Sequence, residues 1–188
     1  QFLREHGYAA EIAYSEDLQK LWEDAVSMND FDSEFSVGFY EEEWNRVVVA
    51  QEALTLEKYV KATRNGRGTR LDRKKRIQIW KVFESYQNLM KECQIRDINT
   101  AMYECRLLAT KMPAETRYKH IIVDEGQDLS ANALRLLRTL AGEEHSDDIF
   151  IVGDAHQRIY KNKASLSKCG INIRGRSSIL RINYRTTE

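Results

Sequence analysis

Three β-branched residues are followed by acids and amides in the middle of the chain. The segment IIVDEGQDLS (121–130) places Asp124 at the end of a predicted buried strand, 120–124, and Glu125 directly after it. Mg²⁺ favours oxygen ligands and is typically held by one or two carboxylates together with substrate phosphates. Asp124 would therefore bind the ion, directly or through water, and Glu125 would orient or deprotonate an attacking water. The alternative is an acidic strand end that forms only helix caps or salt bridges.

The next apolar stretch, a predicted strand at 148–154, also ends in an acid. In the segment IVGDAHQRIY (151–160), Asp154 closes the stretch and is followed by Gln157 and Tyr160. The carboxyl ends of parallel strands lie at one edge of an open α/β sheet, and ligands bind at that edge. The second acid therefore strengthens the interpretation of a ligand site.

A third apolar stretch, SSILRIN (177–183), leads into Tyr184 and Arg185. An arginine can clamp a γ-phosphate, and its developing transition-state charge, with a planar fork of donors. A tyrosine beside it can stack on a nucleobase. Together with a predicted helix at 131–140, the three strands predict an α/β fold.

The region upstream of Pro113, the only proline, reads as helical because its apolar residues recur at helical spacing. We predict helices that begin at a Ser15 N-cap, over about 40–62, at Leu71-Asp72 and at an Asp97 N-cap. The apolar stripe from Ile77 to Met90 is interpreted as core. The chain is thus divided into a helical region, 1–112, and an α/β region, 113–188.

Charge is unevenly distributed along a chain whose formal net charge is zero. Residues 1–60 carry 14 acids and 4 bases, whereas residues 61–91 carry 10 bases and 2 acids. A basic segment in a neutral chain is a candidate nucleic-acid surface. A solvated helix face is the alternative.

The three cysteines, Cys93, Cys105 and Cys169, have no metal-type spacing and are interpreted as reduced thiols. No signal peptide or membrane-spanning apolar run is present in the sequence, so no membrane partner is expected and the location predicted is cytoplasmic, or nuclear in a eukaryote. Since the chain starts at Gln1, we expect it to be a piece of a longer protein.

Three segments in this order, VDEGQDLS, VGDAHQRIY and LRINYRTTE, resemble motifs II, III and IV of UvrD/Rep-like superfamily 1 DNA helicases. Upstream, RNGRGTRL followed by RIQIWKVFESY resembles the helical insertion of that family. The resemblance implies a partial RecA-like parallel sheet of the P-loop NTPase type over 113–188, as the C-terminal part of the first motor domain. It implies a mostly helical insertion domain over 1–112.

The resemblance also implies roles in a nucleotide site that holds ATP and Mg²⁺. Asp124 would be the metal ligand and Glu125 the catalytic base. Gln157 would sense the γ-phosphate, Tyr184 would lie against adenine, and Arg185 would contact the γ-phosphate. The residues implied to couple this site to motif III are Gln127, Asp128 and Asp154.

Further positions are expected to bind DNA, Tyr160 from the resemblance and the basic residues from their charge. Tyr160 would stack on a base of single-stranded DNA, with a core tyrosine as the alternative. The next residues depart from the family pattern, and Lys161 and Lys163 are expected to contact phosphates. In the helical insertion, the residues expected to contact duplex DNA are Arg67, Arg70 and Lys74.

No phosphate-binding G-x-x-x-x-G-K-[ST] loop occurs in the sequence, and NGRGTR is interpreted as a turn. We therefore predict that this chain alone hydrolyses no ATP, and that the remainder of the parent helicase supplies the loop. The parent would couple ATP hydrolysis to translocation on single-stranded DNA, from 3′ to 5′, and to duplex unwinding. The alternatives are a catalytically silent regulatory protein, the helicase part of a helicase–nuclease, and RNA instead of DNA as the track.

Overall fold

The computed structural model describes residues 5, 10–29, 35–154 and 166–179, which form helices and two pairs of short parallel strands. The helices are α1 (Ser15–Ser27), α2 (Val37–Glu43), α3 (Leu56–Lys61), α4 (Arg73–Glu92), α5 (Ile98–Thr110) and α6 (Ala131–Ala141), and α2 continues as a π-helix, Trp44–Val49. The strands are β1 (Glu11–Ile12), β2 (Ile95–Arg96), β3 (Ile121–Val123) and β4 (Ile149–Ile151). Short 3₁₀ turns occupy Ala114–Thr116, Gly126–Asp128 and Ser167–Cys169. Within these residues, no helix is long and apolar enough to cross a membrane.

Capping side chains fix the starts of several helices. Asp72 Oδ1 accepts a hydrogen bond from the Lys75 nitrogen at 2.8 Å, and Asp97 Oδ1 accepts one from the Thr100 nitrogen at 2.8 Å. The helix start predicted at Leu71-Asp72 and the predicted Asp97 N-cap are both confirmed. The helix expected near Ser15 is present. Ser15 is its first residue, and the residue at the N-cap position, Tyr14, makes no side-chain capping hydrogen bond.

The single helix predicted over 40–62 is wrong, because the chain turns between the π-helix and α3. Glu52 adopts the left-handed conformation, with φ of 57°, which interrupts a right-handed helix. Thr55 then starts α3 by accepting a hydrogen bond from the Lys58 nitrogen at 3.4 Å. Apolar residues recur at helical spacing on both sides of this turn, so the sequence pattern does not reveal it.

An aromatic core holds the helical region together. Trp22 of α1 stacks on Tyr86 of α4, with ring centroids 3.6 Å apart. Trp44 and Phe83 pack beside them, and all four rings are almost fully buried. The stripe predicted on α4 is therefore core from Ile79 to Met90, whereas its first member, Ile77, is 38% exposed. The pairing of β1 with β2, which ties the start of this region to the end of α4, has no signal in the sequence.

The α/β region consists of β3 and β4, which pair in parallel with Ile121 opposite Ile149 and Val123 opposite Ile151. Helix α6 connects them, as predicted for a strand–helix–strand unit. One face of the pair packs toward Leu134, Cys169 and Ile171. On the other face Ile122 is 79% and Phe150 61% exposed.

The third predicted strand and the predicted division are not settled by this arrangement. Residues 177–179 are not in a strand, and residues 180–183 lie outside the described part of the chain. The division at residue 112 falls after α5, which packs directly against α6. The two-part division therefore stays a prediction.

Candidate functional site

The ends of β3 and β4 meet at one edge and are bound to each other through the backbone. The Val152 nitrogen donates to the Val123 oxygen at 2.8 Å, and the Gly126 nitrogen donates back to the Val152 oxygen at 2.8 Å. The acidic turn, defined here as residues 124–128, is thereby attached to the segment that ends in Asp154. The structure thus joins, through the backbone, the two acid-bearing segments that the sequence placed after separate strands.

The backbone of the acidic turn bends sharply at Glu125. This residue has φ of 52° and ψ of 38°, in the left-handed region that non-glycine residues seldom adopt. Its nitrogen donates to Asp124 Oδ1 at 2.9 Å, and its carbonyl accepts from the Asp128 nitrogen at 3.0 Å. Asp124, Glu125 and Asp128 are all exposed at this edge.

Gln127 connects Glu125 to the end of β4. Its Nε2 donates to Glu125 Oε2 at 2.6 Å, and its Oε1 accepts from the Asp154 nitrogen at 2.9 Å. The Gln127 side chain therefore holds Glu125 Oε2 at one end and the backbone nitrogen of Asp154 at the other. The Oε1 atom of Glu125 has no recorded hydrogen bond to the described residues and remains available to a water molecule.

Two glycines allow the turn and the strand end to approach so closely. A Cβ on Gly126 would lie 2.4 Å from Ile151 Cγ2 and 3.3 Å from the Val152 oxygen. A Cβ on Gly153 would lie 2.5 Å from Gln127 Oε1 and 3.2 Å from the Gln127 nitrogen. Larger residues at either position would force the acidic turn away from β4.

The oxygen atoms of the acidic turn suit a hydrated magnesium ion. Among the described residues, no hydrogen-bond donor is recorded for Asp124 Oδ2 or for the Asp128 carboxylate, and both side chains are exposed. The same part of the chain contains no group of three or more His, Cys, Asp or Glu side chains arranged around a metal position. Mg²⁺ keeps several waters and takes further oxygens from substrate phosphates, so it needs few protein ligands.

Six of the predicted site residues lie outside the described residues, and no placement is given for them: Gln157, Tyr160, Lys161, Lys163, Tyr184 and Arg185.

The basic turn is defined here as residues 64–70. Arg67 of this turn was expected to contact duplex DNA, but its side chain is paired within the protein. The Arg67 side chain is only 8% exposed. Its Nε donates to Glu43 Oε2 at 3.0 Å, its NH1 group to Glu42, and its NH2 group to the Phe39 oxygen at 3.2 Å. Since every nitrogen of this guanidinium has a protein acceptor, Arg67 holds the turn in place and does not offer a free cation.

Glu43 is the centre of that arrangement, and it is fully buried. Arg64 donates to both of its oxygens, at 2.6 and 2.9 Å, and the Tyr59 hydroxyl donates at 3.1 Å. Burial first, and the Glu43 charge second, raise the pKa of Tyr59 far above its usual value. The sequence gives no sign that Glu43 differs from its neighbours Glu41 and Glu42.

The other bases of this segment are placed differently. Five of them are exposed and form no ion pair with a described residue: Arg70, Arg73, Lys74, Lys81 and Lys91. A surface depression of about 590 Å³ lies beside the turn, between Glu42 and Thr69 and away from the acidic turn. Its arginine, Arg67, is already paired with Glu42 in the same wall, so we place the candidate nucleotide chemistry at the strand edge instead.

Comparison with known proteins assigns the chain to a family. A family model described as the UvrD/REP helicase N-terminal domain matches residues 5–169. Proteins named ATP-dependent DNA helicase UvrD1, from Mycobacterium bovis and Mycobacterium tuberculosis, are each 26% identical over 125 residues. That match covers 57% of this chain and 16% of each relative. No solved structure matches the chain.

Proposed function

Because the chain belongs to the family of UvrD/REP helicase N-terminal domains, we propose that it forms part of the motor of an ATP-dependent DNA helicase. The observation that carries the proposal is the bridge from Glu125 through Gln127 to Asp154. It joins a candidate catalytic carboxylate to the following strand end at 2.6 and 2.9 Å. An acidic strand end that formed only helix caps or salt bridges would not need a connection to the next strand end.

The sheet itself supports a larger RecA-like arrangement. Parallel sheets are almost always covered on both faces, whereas Ile122 and Phe150 leave one face of the β3–β4 pair exposed. We propose that the remainder of the protein adds strands and a covering layer here. The same remainder would contribute the phosphate-binding loop that the sequence lacks.

In the proposed reaction, Asp124 would hold Mg²⁺, directly or through a water, and the ion, when bound, would partly neutralise the charge on the phosphates of ATP. Glu125 Oε1 accepts a hydrogen bond from the attacking water and takes its proton. The water oxygen bonds to the γ-phosphorus, the bond from that phosphorus to the β–γ bridging oxygen breaks, and ADP leaves. Gln127 restricts the orientation of Glu125 by holding the second carboxylate oxygen. Gln157, Tyr184 and Arg185 remain proposals for phosphate and adenine contacts.

DNA is the proposed track, with translocation from 3′ to 5′. Tyr160, Lys161 and Lys163 are proposed to contact the single strand, while Arg70 and Lys74 are proposed to contact duplex phosphates. Exposed lysine and arginine side chains without protein partners can bind nucleic-acid phosphates and displace their counterions. This release of counterions is the main source of non-specific affinity.

The experiment is the Glu125→Gln variant of the full-length protein. We expect nucleotide affinity to stay within about 3-fold while DNA-stimulated hydrolysis falls by about 100-fold or more, because a general base contributes about 10² to 10⁴ in rate. Glu115→Gln, which changes an exposed glutamate of the Ala114–Thr116 turn, is the matched control and should retain the parental rate. Equal hydrolysis by Glu125→Gln and the parent protein would refute the role of Glu125. A parent protein that binds but never hydrolyses ATP would favour the regulatory alternative.

A further inference from the structure

Helix α6, which follows the acidic turn, also holds the end of the π-helix in the helical region. Its first turn carries Asn132, whose side chain is 3% exposed. Asn132 Nδ2 donates to the Val49 oxygen at 3.3 Å and lies 3.5 Å from the Asn99 oxygen. One buried amide therefore connects α6 to the π-helix and to the first turn of α5.

Arg135 makes a second connection one turn further along α6. Its NH1 group donates to the Ala50 oxygen at 2.8 Å and to Asn132 Oδ1 at 3.2 Å. The same group lies 3.7 Å from Glu52 Oε1. Glu52 is held from its other side by Arg106 of α5 at 2.8 Å. The cap, defined here as Asn132 and Arg135, thus binds both the backbone and a side chain of the turn that follows the π-helix.

These contacts satisfy groups that a helix end leaves open. The last carbonyls of a helix have no partner within it and need donors from elsewhere. The Ala50 carbonyl occupies that place, and Arg135 of α6 supplies its donor. The Val49 carbonyl accepts from the Glu52 nitrogen at 3.1 Å, and Asn132 of α6 supplies a second donor to it. The segment that ends here is a π-helix, a rare conformation that is frequent at functional sites. Winding the same residues as an α-helix would rotate their final carbonyls away from the cap, because the two helices differ in residues per turn.

We propose that Asn132 and Arg135 are positioning residues that couple the nucleotide site to the helical region through the π-helix. The acidic turn ends at Asp128 and Ser130 caps α6 by accepting from the Ala133 nitrogen at 3.2 Å. A shift of the turn on nucleotide binding therefore moves the start of α6. The cap carries that movement to Val49 and Ala50, and so to the basic turn that carries Arg70 and to α4, which carries Lys74. This inference rests on the proposed helicase function.

The test uses Arg135→Met in the full-length protein, with Arg135→Lys as the conservative variant and Glu52→Gln as a milder second disruption. Arg138→Met is the matched control. Arg138 lies on the same helix and is similarly buried, but it binds Asp148 at 2.6 Å and the Gly142 oxygen at 3.0 Å, within the α/β region. The readouts are base pairs unwound per ATP hydrolysed, and amide hydrogen exchange of residues 48–53 with and without a non-hydrolysable ATP analogue.

Couplings between sites typically amount to about 5-fold to 150-fold, so we expect Arg135→Met to lower unwinding per ATP by about 5-fold or more, with hydrolysis changed by less than about 2-fold. Glu52→Gln should lower it less, and Arg135→Lys should restore part of it. The nucleotide-dependent change in exchange at residues 48–53 should disappear in Arg135→Met and persist in Arg138→Met.

Two results would overturn the inference. One is an unchanged ratio of unwinding to hydrolysis in Arg135→Met and Glu52→Gln. The other is the same nucleotide response at residues 48–53 in Arg135→Met and in the parent. Absence of hydrolysis in the unmodified protein would instead overturn the proposed function, and the exchange measurement with bound nucleotide would still report on the cap.

Discussion

Gln127 Oε1 accepts a hydrogen bond from the backbone nitrogen of Asp154 at 2.9 Å. This contact joins two segments that are separated in sequence by the whole of α6 and β4. Because the other end of the same amide holds Glu125 Oε2, a displacement of the residues after β4 reaches the candidate base through one side chain. The geometry therefore links the position of Asp154, after β4, to the orientation of the Glu125 carboxylate, after β3.

Replacing Gln127 by alanine should impair hydrolysis more than nucleotide binding. The variant leaves Glu125 free to rotate, and removing a group that orients a functional side chain typically costs about 10-fold to 100-fold in activity. Gln127→Glu should be at least as damaging, since it places a second carboxylate against Glu125. The measurement is the DNA-stimulated ATPase rate of the full-length protein beside nucleotide titration. Gln78→Ala, on the exposed face of α4, is the control, and a similar rate for Gln127→Ala and Gln78→Ala would rule out this role.

Gly153→Ala should destabilise the protein and loosen the same bridge. The added Cβ would meet Gln127 Oε1 at 2.5 Å and two backbone nitrogens at 3.2 and 3.3 Å, and overpacking of this kind costs about 1–3 kcal/mol. Gly68→Ala is the control because no atom lies within 4 Å of its Cβ position. Chemical denaturation of both variants checks the expectation. Equal denaturation midpoints for Gly153→Ala and Gly68→Ala would show that the strand edge accommodates the added methyl group without loss of stability.

The sequence predicted those features that depend on neighbouring residues. Asp72 and Asp97 cap helices because their carboxylates reach nitrogens three residues ahead, and the β3–α6–β4 unit follows from local periodicity. The break at Glu52 was missed because its left-handed turn is stabilised by Arg106, far along the chain. The role of Arg67 was missed for a similar reason. Its partner Glu43 is buried only because remote aromatic residues pack around that helix, and side-chain burial of this kind leaves no periodic signal.

Glu43→Gln should cause a large loss of stability. The change leaves Arg64 and Arg67 without the buried charge that neutralises them, and breaking one side of a buried ion pair typically costs about 3–5 kcal/mol. The basic turn should then lose its order, which hydrogen exchange of residues 64–70 can detect together with thermal unfolding. Glu57→Gln removes the partner of Lys61 in a fully exposed pair and should leave the melting temperature unchanged. The assignment fails if the two variants melt alike.

Charge reversal at Arg70 and Lys74 should weaken duplex binding without unfolding the protein. Both side chains are exposed and unpaired among the described residues, and each lost phosphate contact lowers the salt-dependence slope by about 0.9. For the double variant Arg70→Glu, Lys74→Glu, the slope of log affinity against log salt should therefore fall by about 1.8. Arg67→Glu should behave differently, with loss of thermal stability as its main effect. Unchanged duplex affinity and slope in the double variant would remove this surface from the proposal.

Glu104 should make stability fall as pH rises. Burial raises the pKa of this glutamate from 4.5 to about 7. Its Oε2 atom has no hydrogen-bond partner among the residues that the structure describes, although Oε1 lies 3.2 Å from Arg96 Nε. Between these pH values the folded protein binds the proton more tightly than the unfolded chain does. The resulting stabilisation is complete below pH 4.5 and is lost as pH rises through about 7. Glu104→Gln cannot lose a proton, so its melting temperature should fall less than that of the parent between pH 5 and pH 8. Glu115→Gln, at an exposed site, should follow the parent, and parallel curves for all three proteins would exclude Glu104 as the source of the pH dependence.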